Sequence, residues 1–569
     1  MKFFMKHPRI DFRRENFLNL NGEWEFDFDD EDIGELQTWY KDHTFSKKIM
    51  VPYPYQSELS GIGDRSYHRV VWYRKTVNLN SFNKEKRLFL IVSASDFHST
   101  AWINGEYAGE HYGGYTPAEF EIRSTSENKL DIILRVEDYN SPSQPRGKQE
   151  WRREEPSGIF YTPVTGIWQP VYVEERGKVF IKEARVYKEG DYIKVKVFLS
   201  EHAKNLEVKF SLIKESKIIL ESKKLVNGKF SFLKLKANNL SLWSPEDPNL
   251  YDLEVSLKKN NEVIDKVSGY TGFRTIKVKK ESILLNGKEV YFKFLLDQGY
   301  YPGGLYFPRD EKDFENDVKI LKEMGFNGVR KHQKIESPIW LYYADKIGIF
   351  VWEEMPSFYV WSKAAKELMK EEWQEAIKRD FNHPSIVAWV PFNECWGVSN
   401  VYESKEQQRF IKEIYNLTKK LDPTRLVIDN SGYVHVKTDI IDIHDYDSAG
   451  FKSKWDAYLE KRSEIPCPLP LFAKGIKFTK RPIVISEYGG LGIVDYPPQG
   501  DREFPYKKLL TKDEFLKWYE DITQNIKKVP VIKGYCYTQF YDIEQEVNGL
   551  LTFDRKPKIN VEVIRKINS

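Results

Sequence analysis

Sulfur and net charge are what this 569-residue chain has least of: three cysteines, six methionines, and 88 Lys and Arg nearly cancelled by 85 Asp and Glu to leave +3. Cys395, Cys467 and Cys536, all in the C-terminal half, cannot build a disulfide scaffold and are too sparse for a cysteine metal centre. Cys395 adjoins Glu394 but reads as a small buried filler rather than a nucleophile. The net charge is small for this length, and nothing in the sequence resembles the basic stripe that nucleic-acid binding needs. The N-terminal MKFFMKHPRIDFRREN lacks the apolar stretch and small-residue cleavage site of a signal peptide. No run approaches the ~20 apolar residues of a membrane span. No membrane partner is therefore expected, and residence in the cytoplasm is the default expectation.

What is there is aromatic and modular. Phe, Trp and Tyr make up 15% of the chain, which suits sandwich and barrel cores or, alternatively, a pocket presenting flat faces to a ligand with both C–H and hydroxyl groups. The length predicts roughly three or four domains. Up to about residue 275 the chain reads as all-β, with alternating segments such as RLFLIVSA (Arg87 to Ala94) and DIILRVEDY (Asp131 to Tyr139) between Gly, Pro, Asn and Ser clusters. A turn at Arg176 to Lys178 divides this half, predicting one sandwich over residues 1–175 and a smaller one over 176–278.

From residue 279 to 569, strands alternate with amphipathic helices. Eight strands are predicted: KFLLDQ, FNGVRKH, IGIFVWEE, IVAWVPFNE, RLVIDNS, IIDIHDY, PIVISE and VIKGYCYTQF, the number of one (β/α)8 barrel. Polar residues gather at their C-terminal ends: Asp297 and Gln298, Arg330 and His332, Glu353 and Glu354, Asn393 and Glu394, Asp429 and Asn430, His444 and Asp445, and Glu487. Barrel active sites are built on that rim. Glu394 and Glu487 stand out because a carboxylate at the end of a buried strand is costly unless it is paired, hydrogen-bonded or used.

With those residues in place, nearly the whole chain resembles glycoside hydrolase family 2, the family of β-galactosidases and β-glucuronidases. LNGEWEF, VPYPYQSEL, VWYRK and TGIWQPVYVE resemble its jelly-roll sugar-binding-like domain, and LWSPEDPNLY and YTGFRTI its immunoglobulin-like domain. GFNGVRKH, VWEEMP, NHPSIVAWVPFNECWG and VISEYGG resemble its TIM barrel. The resemblance implies that Glu394, after the fourth strand, is the acid/base, and that Glu487, after the seventh, is the nucleophile of a retaining mechanism. Glu487 is expected to raise the proton affinity of Glu394.

Asn393 is expected to contact the sugar hydroxyl beside the anomeric carbon, or else to fix the Glu394 loop. Arg330 and Tyr446 are expected to hold the nucleophile, with strand-end stabilisation as the alternative. His332 is a candidate sugar contact, or a member of a loop network. Adjacent Glu353 and Glu354 must face opposite ways, and the resemblance favours Glu354 as the inward one. Trp352 or Trp396 could form a sugar-stacking wall, with core packing as the alternative for either. Asp297, Tyr301 and Asp542 are candidates for selectivity.

The expected activity is retaining, exo-acting hydrolysis of terminal β-linked sugars, β-D-galactosides first, with no metal and no organic cofactor required. Glucosides, mannosides, fucosides and arabinosides stay open. A β-glucuronide is disfavoured, because Asn548 is followed by Gly549 and Leu550 where the glucuronidases carry an Asn-Xaa-Lys element. RKHQKIESP also departs from the His-Tyr-Pro element of galactosidases. The remaining alternatives are an inverting glycosidase and a carbohydrate-binding protein that has lost its chemistry. The expected partner is a small glycoside; a homo-oligomer stays open, since a neighbouring subunit could supply an aglycone loop.

Overall fold

Alternation along the strands shapes the N-terminal architecture. In strand Gly22–Phe28, Trp24 and Phe26 point inward while Glu23 and Glu25 are exposed. Strands patterned this way form a four-stranded and a six-stranded antiparallel sheet, packed face to face around Trp24, Phe26, Val71, Tyr73, Leu90 and Leu134. The computed structural model describes residues 7–79, 82–83, 85–123, 129–152, 155–461, 464–477, 480–498, 504, 506 and 508–569. The first six residues of the N-terminal stretch read for a signal sequence thus lie outside the described residues.

The second sandwich is organised by one 23-residue strand, Tyr192–Lys214. It pairs first with Ile181–Glu189 and then with Tyr251–Lys259, and Lys217–Lys236 runs along most of its length. Register shifts between Phe198 and Leu206 mark bulges within it. Arg14 fastens the two sandwiches, reaching Glu174 of the first and Asp265 of the second at 3.0 Å each.

Eight parallel strands then form the barrel sheet: β1 Phe292–Asp297, β2 Gly328–Lys331, β3 Phe350–Glu354, β4 Ile386–Val390, β5 Leu426–Val427, β6 Ile441–His444, β7 Ile483–Gly489 and β8 Ile532–Thr538. Hydrogen bonding runs from β5 through β1 to β8, β7 and β6, so the sheet curls on itself. The helix Glu311–Glu323 starts on an Asp310–Asp313 capping box, and Lys512–Lys528 on Thr511–Glu514.

Strands Ile276–Lys279 and Ser282–Leu285 pair as a hairpin, so the boundary expected at 278/279 falls inside one structural unit. Its Ile276, Ile283 and Leu285 pack with Phe292, Phe294, Phe350 and Trp352. Trp352, a candidate stacking wall from sequence, is fully buried in that cluster, its ring edge-on to Phe294.

The first sandwich also docks on the opposite, functional end of the barrel. Arg146 and Gly147 donate backbone N–H bonds to the Ser357 carbonyl at 3.0 and 3.1 Å, and Tyr359 and Val360 donate to Pro142 at 2.7 and 3.1 Å. Gly147 sits at φ 62°, and a Cβ there would fall 2.3 Å from the Gln333 carbonyl. Glycine alone permits this approach to the end of β2.

Candidate active site

Adjacent β2 residues diverge, and the divergence creates the site. Arg330 points into the barrel, fully buried, and its guanidinium donates to Glu354 Oε2 at 2.7 Å, Glu487 Oε1 at 2.7 Å and Asn393 Oδ1 at 2.7 Å. One planar donor fork thereby fixes side chains from β3, β7 and the turn after β4. Because Arg330 can only donate, the Asn393 carbonyl must face it. The Asn393 NH2 makes no hydrogen bond among the described residues and is left for a ligand.

The two glutamates come together across His444. Its Nδ1 lies 2.6 Å from Glu394 Oε1 and its Nε2 3.3 Å from Glu487 Oε1, and carboxylate oxygens of the two glutamates lie within 4.8 Å of one another. Glu394 stands on a sharp turn: it and Cys395 both adopt left-handed backbone, at φ 48° and 62°. That conformation is costly for these residue types and is held by a bond from Glu394 N to Ser431 O at 2.9 Å. The Glu394 side chain keeps 23% of its surface exposed, against 7% for Glu487.

Burial pushes the Glu394 carboxyl up, but the hydrogen bond and charge of His444, with Lys148 and Arg330 behind it, outweigh burial and hold it below the ordinary range. Glu487 is likewise pushed up by burial and brought below its ordinary value by His444 and Arg330. Burial lowers His444, yet Glu487 and Glu394 raise it above 6.5 overall. The two carboxylates do repel, since the charge of Glu394 raises Glu487, but at both groups the pull of His444 is larger.

Tyr446 donates to Glu487 Oε2 at 2.6 Å. Glu354 faces inward while Glu353 turns outward to accept from Glu336 N at 2.7 Å. Burial pushes Glu354 up to about 7 against the pull of Arg330. His332 Nδ1 approaches Glu354 Oε1 at 2.8 Å but at an angle too bent for a hydrogen bond. Burial and neighbouring cations hold His332 well below 6.5, so it faces the site as a neutral ring.

Asp297 and Asp542 are placed differently from the substrate contacts expected of them. Asp297 is 1% exposed and accepts from Lys331 at 2.7 Å, Tyr541 at 2.7 Å and Gly299 N at 2.8 Å. Asp542 accepts from Lys558 at 2.5 Å and Gly549 N at 2.9 Å. It lines a separate cleft of ≈ 740 Å³ with Tyr301 and Glu544, which includes neither Glu394 nor Glu487. In both cases a local lysine is the partner.

Sequence reasoning passed over the contribution of the first sandwich. Lys148 is 7% exposed, its charge acts on both His332 and Glu394, and its ammonium has no acceptor among the described residues. Tyr161 donates to Glu546, and its own hydroxyl accepts from Gln298 at 2.7 Å. Phe160 meets Trp396 at 6.0 Å. The local signal was slight: a Pro-Arg-Gly-Lys segment whose glycine permits close approach to a barrel strand far along the chain. Tyr433, whose ring lies 5.4 Å edge-on from His444, was also missed.

Glu394, His444 and Glu487 are near enough to hold a cation. The Arg330 guanidinium, however, already stands 2.7 Å from Glu487 and 3.2 Å from His444 Nε2, supplying positive charge where an ion would sit.

Comparison with known proteins extends this description. Residues 17–161 match the glycosyl hydrolases family 2 sugar binding domain, 171–274 the glycosyl hydrolases family 2 model, and 276–569 the glycosyl hydrolases family 2 TIM barrel domain. The chain is 27% identical over 506 residues to a β-galactosidase of Thermoanaerobacterium thermosulfurigenes, covering 83% of this chain and 64% of that protein. A β-galactosidase of Thermoanaerobacter pseudethanolicus is 27% identical over 72% of this chain and 53% of its own length, so the chain spans less than two thirds of either. A β-glucuronidase of Paenibacillus borealis is 23% identical over 99% and 98% of the two lengths. In fold, the chain is similar to the Ruminococcus gnavus β-glucuronidase solved with D-glucuronic acid, at TM-score 0.80 and 19% identity over all of both chains.

Proposed function

Because the chain belongs to glycosyl hydrolase family 2, we propose that it is a retaining, exo-acting β-glycosidase in which Glu394 is the acid/base and Glu487 the nucleophile. The observation that carries this reading is the carboxylate spacing, within 4.8 Å between facing oxygens. So close an approach supports the ~5–5.5 Å separation of a retaining pair over the ~6.5–9.5 Å of an inverting one.

In the first step the Glu394–His444 pair delivers a proton to the glycosidic oxygen. A Glu487 oxygen attacks the anomeric carbon, the C–O bond to the aglycone breaks, and a glycosyl ester forms. Arg330 and Tyr446 hold the attacking carboxylate ionised and aligned. The Asn393 NH2 is the donor for the neighbouring sugar hydroxyl, a contact that strengthens as charge develops. In the second step Glu394 takes a proton from water, the resulting hydroxide attacks the anomeric carbon, and Glu487 leaves as carboxylate.

For the sugar, we propose a β-D-galactoside, supported by the β-galactosidase relatives and by the absence of lysine after Asn548. Lys558, further along that stretch, is engaged by Asp542 and the Val547 carbonyl. One observation favours a second reading, a β-glucuronide: the unpartnered Lys148 ammonium beside His332 could receive a sugar carboxylate. A panel of 4-nitrophenyl β-glycosides differing only in sugar tests both. Fastest turnover of the galactoside supports the first reading. A dominant glucuronidase activity that Lys148→Met removes selectively supports the second and refutes the first.

A further inference from the structure

Four half-buried aromatic rings from two domains meet on the Glu394 side of the site. Trp151 and Phe160 come from the first sandwich, Tyr359 from the segment after β3, and Trp396 from the turn that carries Glu394. Trp151 stacks on Tyr359 at 5.9 Å and 21°; Tyr359 lies 5.5 Å from Trp396, and Phe160 is 5.8 Å from Tyr359 and 6.0 Å from Trp396. None of the four joins a hydrophobic core cluster among the described residues. Their frame is nevertheless fixed, since the Tyr359 hydroxyl donates to the Gly147 carbonyl and its backbone N–H to Pro142 at 2.7 Å. Rings left partly exposed yet held by interdomain hydrogen bonds suit a ligand better than a packing seam.

Chemistry says which ligand. A proton donor must face the glycosidic oxygen, so the departing group lies on the side of Glu394, where Trp396 is only two residues further along. We propose that Trp151, Phe160, Tyr359 and Trp396 form a platform for the departing group, taking one with a flat apolar face: an aryl ring or the C–H face of a second pyranose. The inference rests on Glu394 being the proton donor. It also gives the first sandwich a direct part in recognition, since half of the platform is its own.

The test compares phenyl and methyl β-glycosides of whichever sugar the wild-type enzyme cleaves best. Phe160→Ala and Tyr359→Ala are each expected to lower kcat/KM for the phenyl glycoside about fivefold to tenfold more than for the methyl glycoside, as loss of ring stacking implies. Phe160→Trp, which keeps a flat face, should restore most of the difference. The kcat for an activated aryl glycoside limited by hydrolysis of the glycosyl ester should not move, because the departing group has already left. Equal losses on both glycosides, or a slowed hydrolysis of the ester, would overturn the platform. Glu394→Gln on the same two glycosides separates this from failure of the premise: if it slows both equally, the donor assignment falls with everything built on it.

Discussion

Two buried charge arrays sit back to back across β2, one on each face of the strand. Outside the barrel, Lys331 pairs with Asp297 at 2.7 Å and Glu336 at 2.5 Å over the Trp340 ring, while Lys334 donates to Gly299 O at 2.8 Å and Tyr306 O at 3.0 Å. Inside, Arg330 gathers Glu354, Glu487 and Asn393, with His444 linking Glu487 to Glu394. The outer array holds its charges sealed from solvent. The inner one leaves Glu394 partly exposed, the Asn393 NH2 free and a neutral His332 facing inward. Burial of charge is common to both, so it is the spare hydrogen-bonding capacity beside the partly exposed Glu394 that marks the functional one.

The sharpest way to break this contrast is to remove Glu487. We expect Glu487→Ala to lower kcat by on the order of 10⁴-fold or more with the fold retained by circular dichroism, and azide or formate to restore part of it. Glu394→Gln should cost about 10²–10⁴-fold for a poor leaving group and much less for an activated aryl one. On the outer face, Lys331→Met should instead act on stability. Leaving Asp297 and Glu336 without their cation should cost about 3–5 kcal/mol in denaturant unfolding, with kcat/KM per folded molecule changed little. A large fall in kcat without loss of stability would mean that the two arrays are not separate.

His444 offers a pH test within the inner array. Its folded pKa is raised above 6.5, so its proton is held below that value and lost as pH rises through the folded one, taking the pair's acid proton with it. We expect kcat/KM to fall on that basic limb, and His444→Asn to replace it with the titration of Glu394 alone, which burial pushes up once His444 is gone. The smallest effect is expected at Asp297: Asp297→Asn should leave sugar preference unchanged in the glycoside panel, since its carboxylate faces Lys331 and Tyr541.

Much of the barrel was legible because strand and helix periods differ and strand ends carry polar residues. All eight strands lie within or across the segments read for them, although β5 shrinks to Leu426–Val427. The facing of adjacent residues was legible too, as at Glu353 and Glu354. Partners were not. Asp297 and Glu487 both stand near the C-terminal end of a buried strand, and only the fold reveals that one meets Lys331 and the other Arg330, neighbours pointing opposite ways. Lys148 and Phe160 were invisible for a different reason: Gly147 lets the sandwich loop carrying Lys148 press against Gln333, and Gln545 holds the Phe160 carbonyl at 2.8 Å, long-range approaches that no local pattern encodes.

The central claim is that Glu487, held by Arg330 and Tyr446, becomes covalently attached to the sugar. Inactivation with a 2-deoxy-2-fluoro β-glycoside carrying a good leaving group, followed by peptide mapping with mass spectrometry, tests it directly. We expect one glycosyl adduct per chain, on Glu487 within the peptide containing Ile483–Gly489. A label on any other residue, or turnover of the natural sugar with inversion at the anomeric carbon, would contradict it.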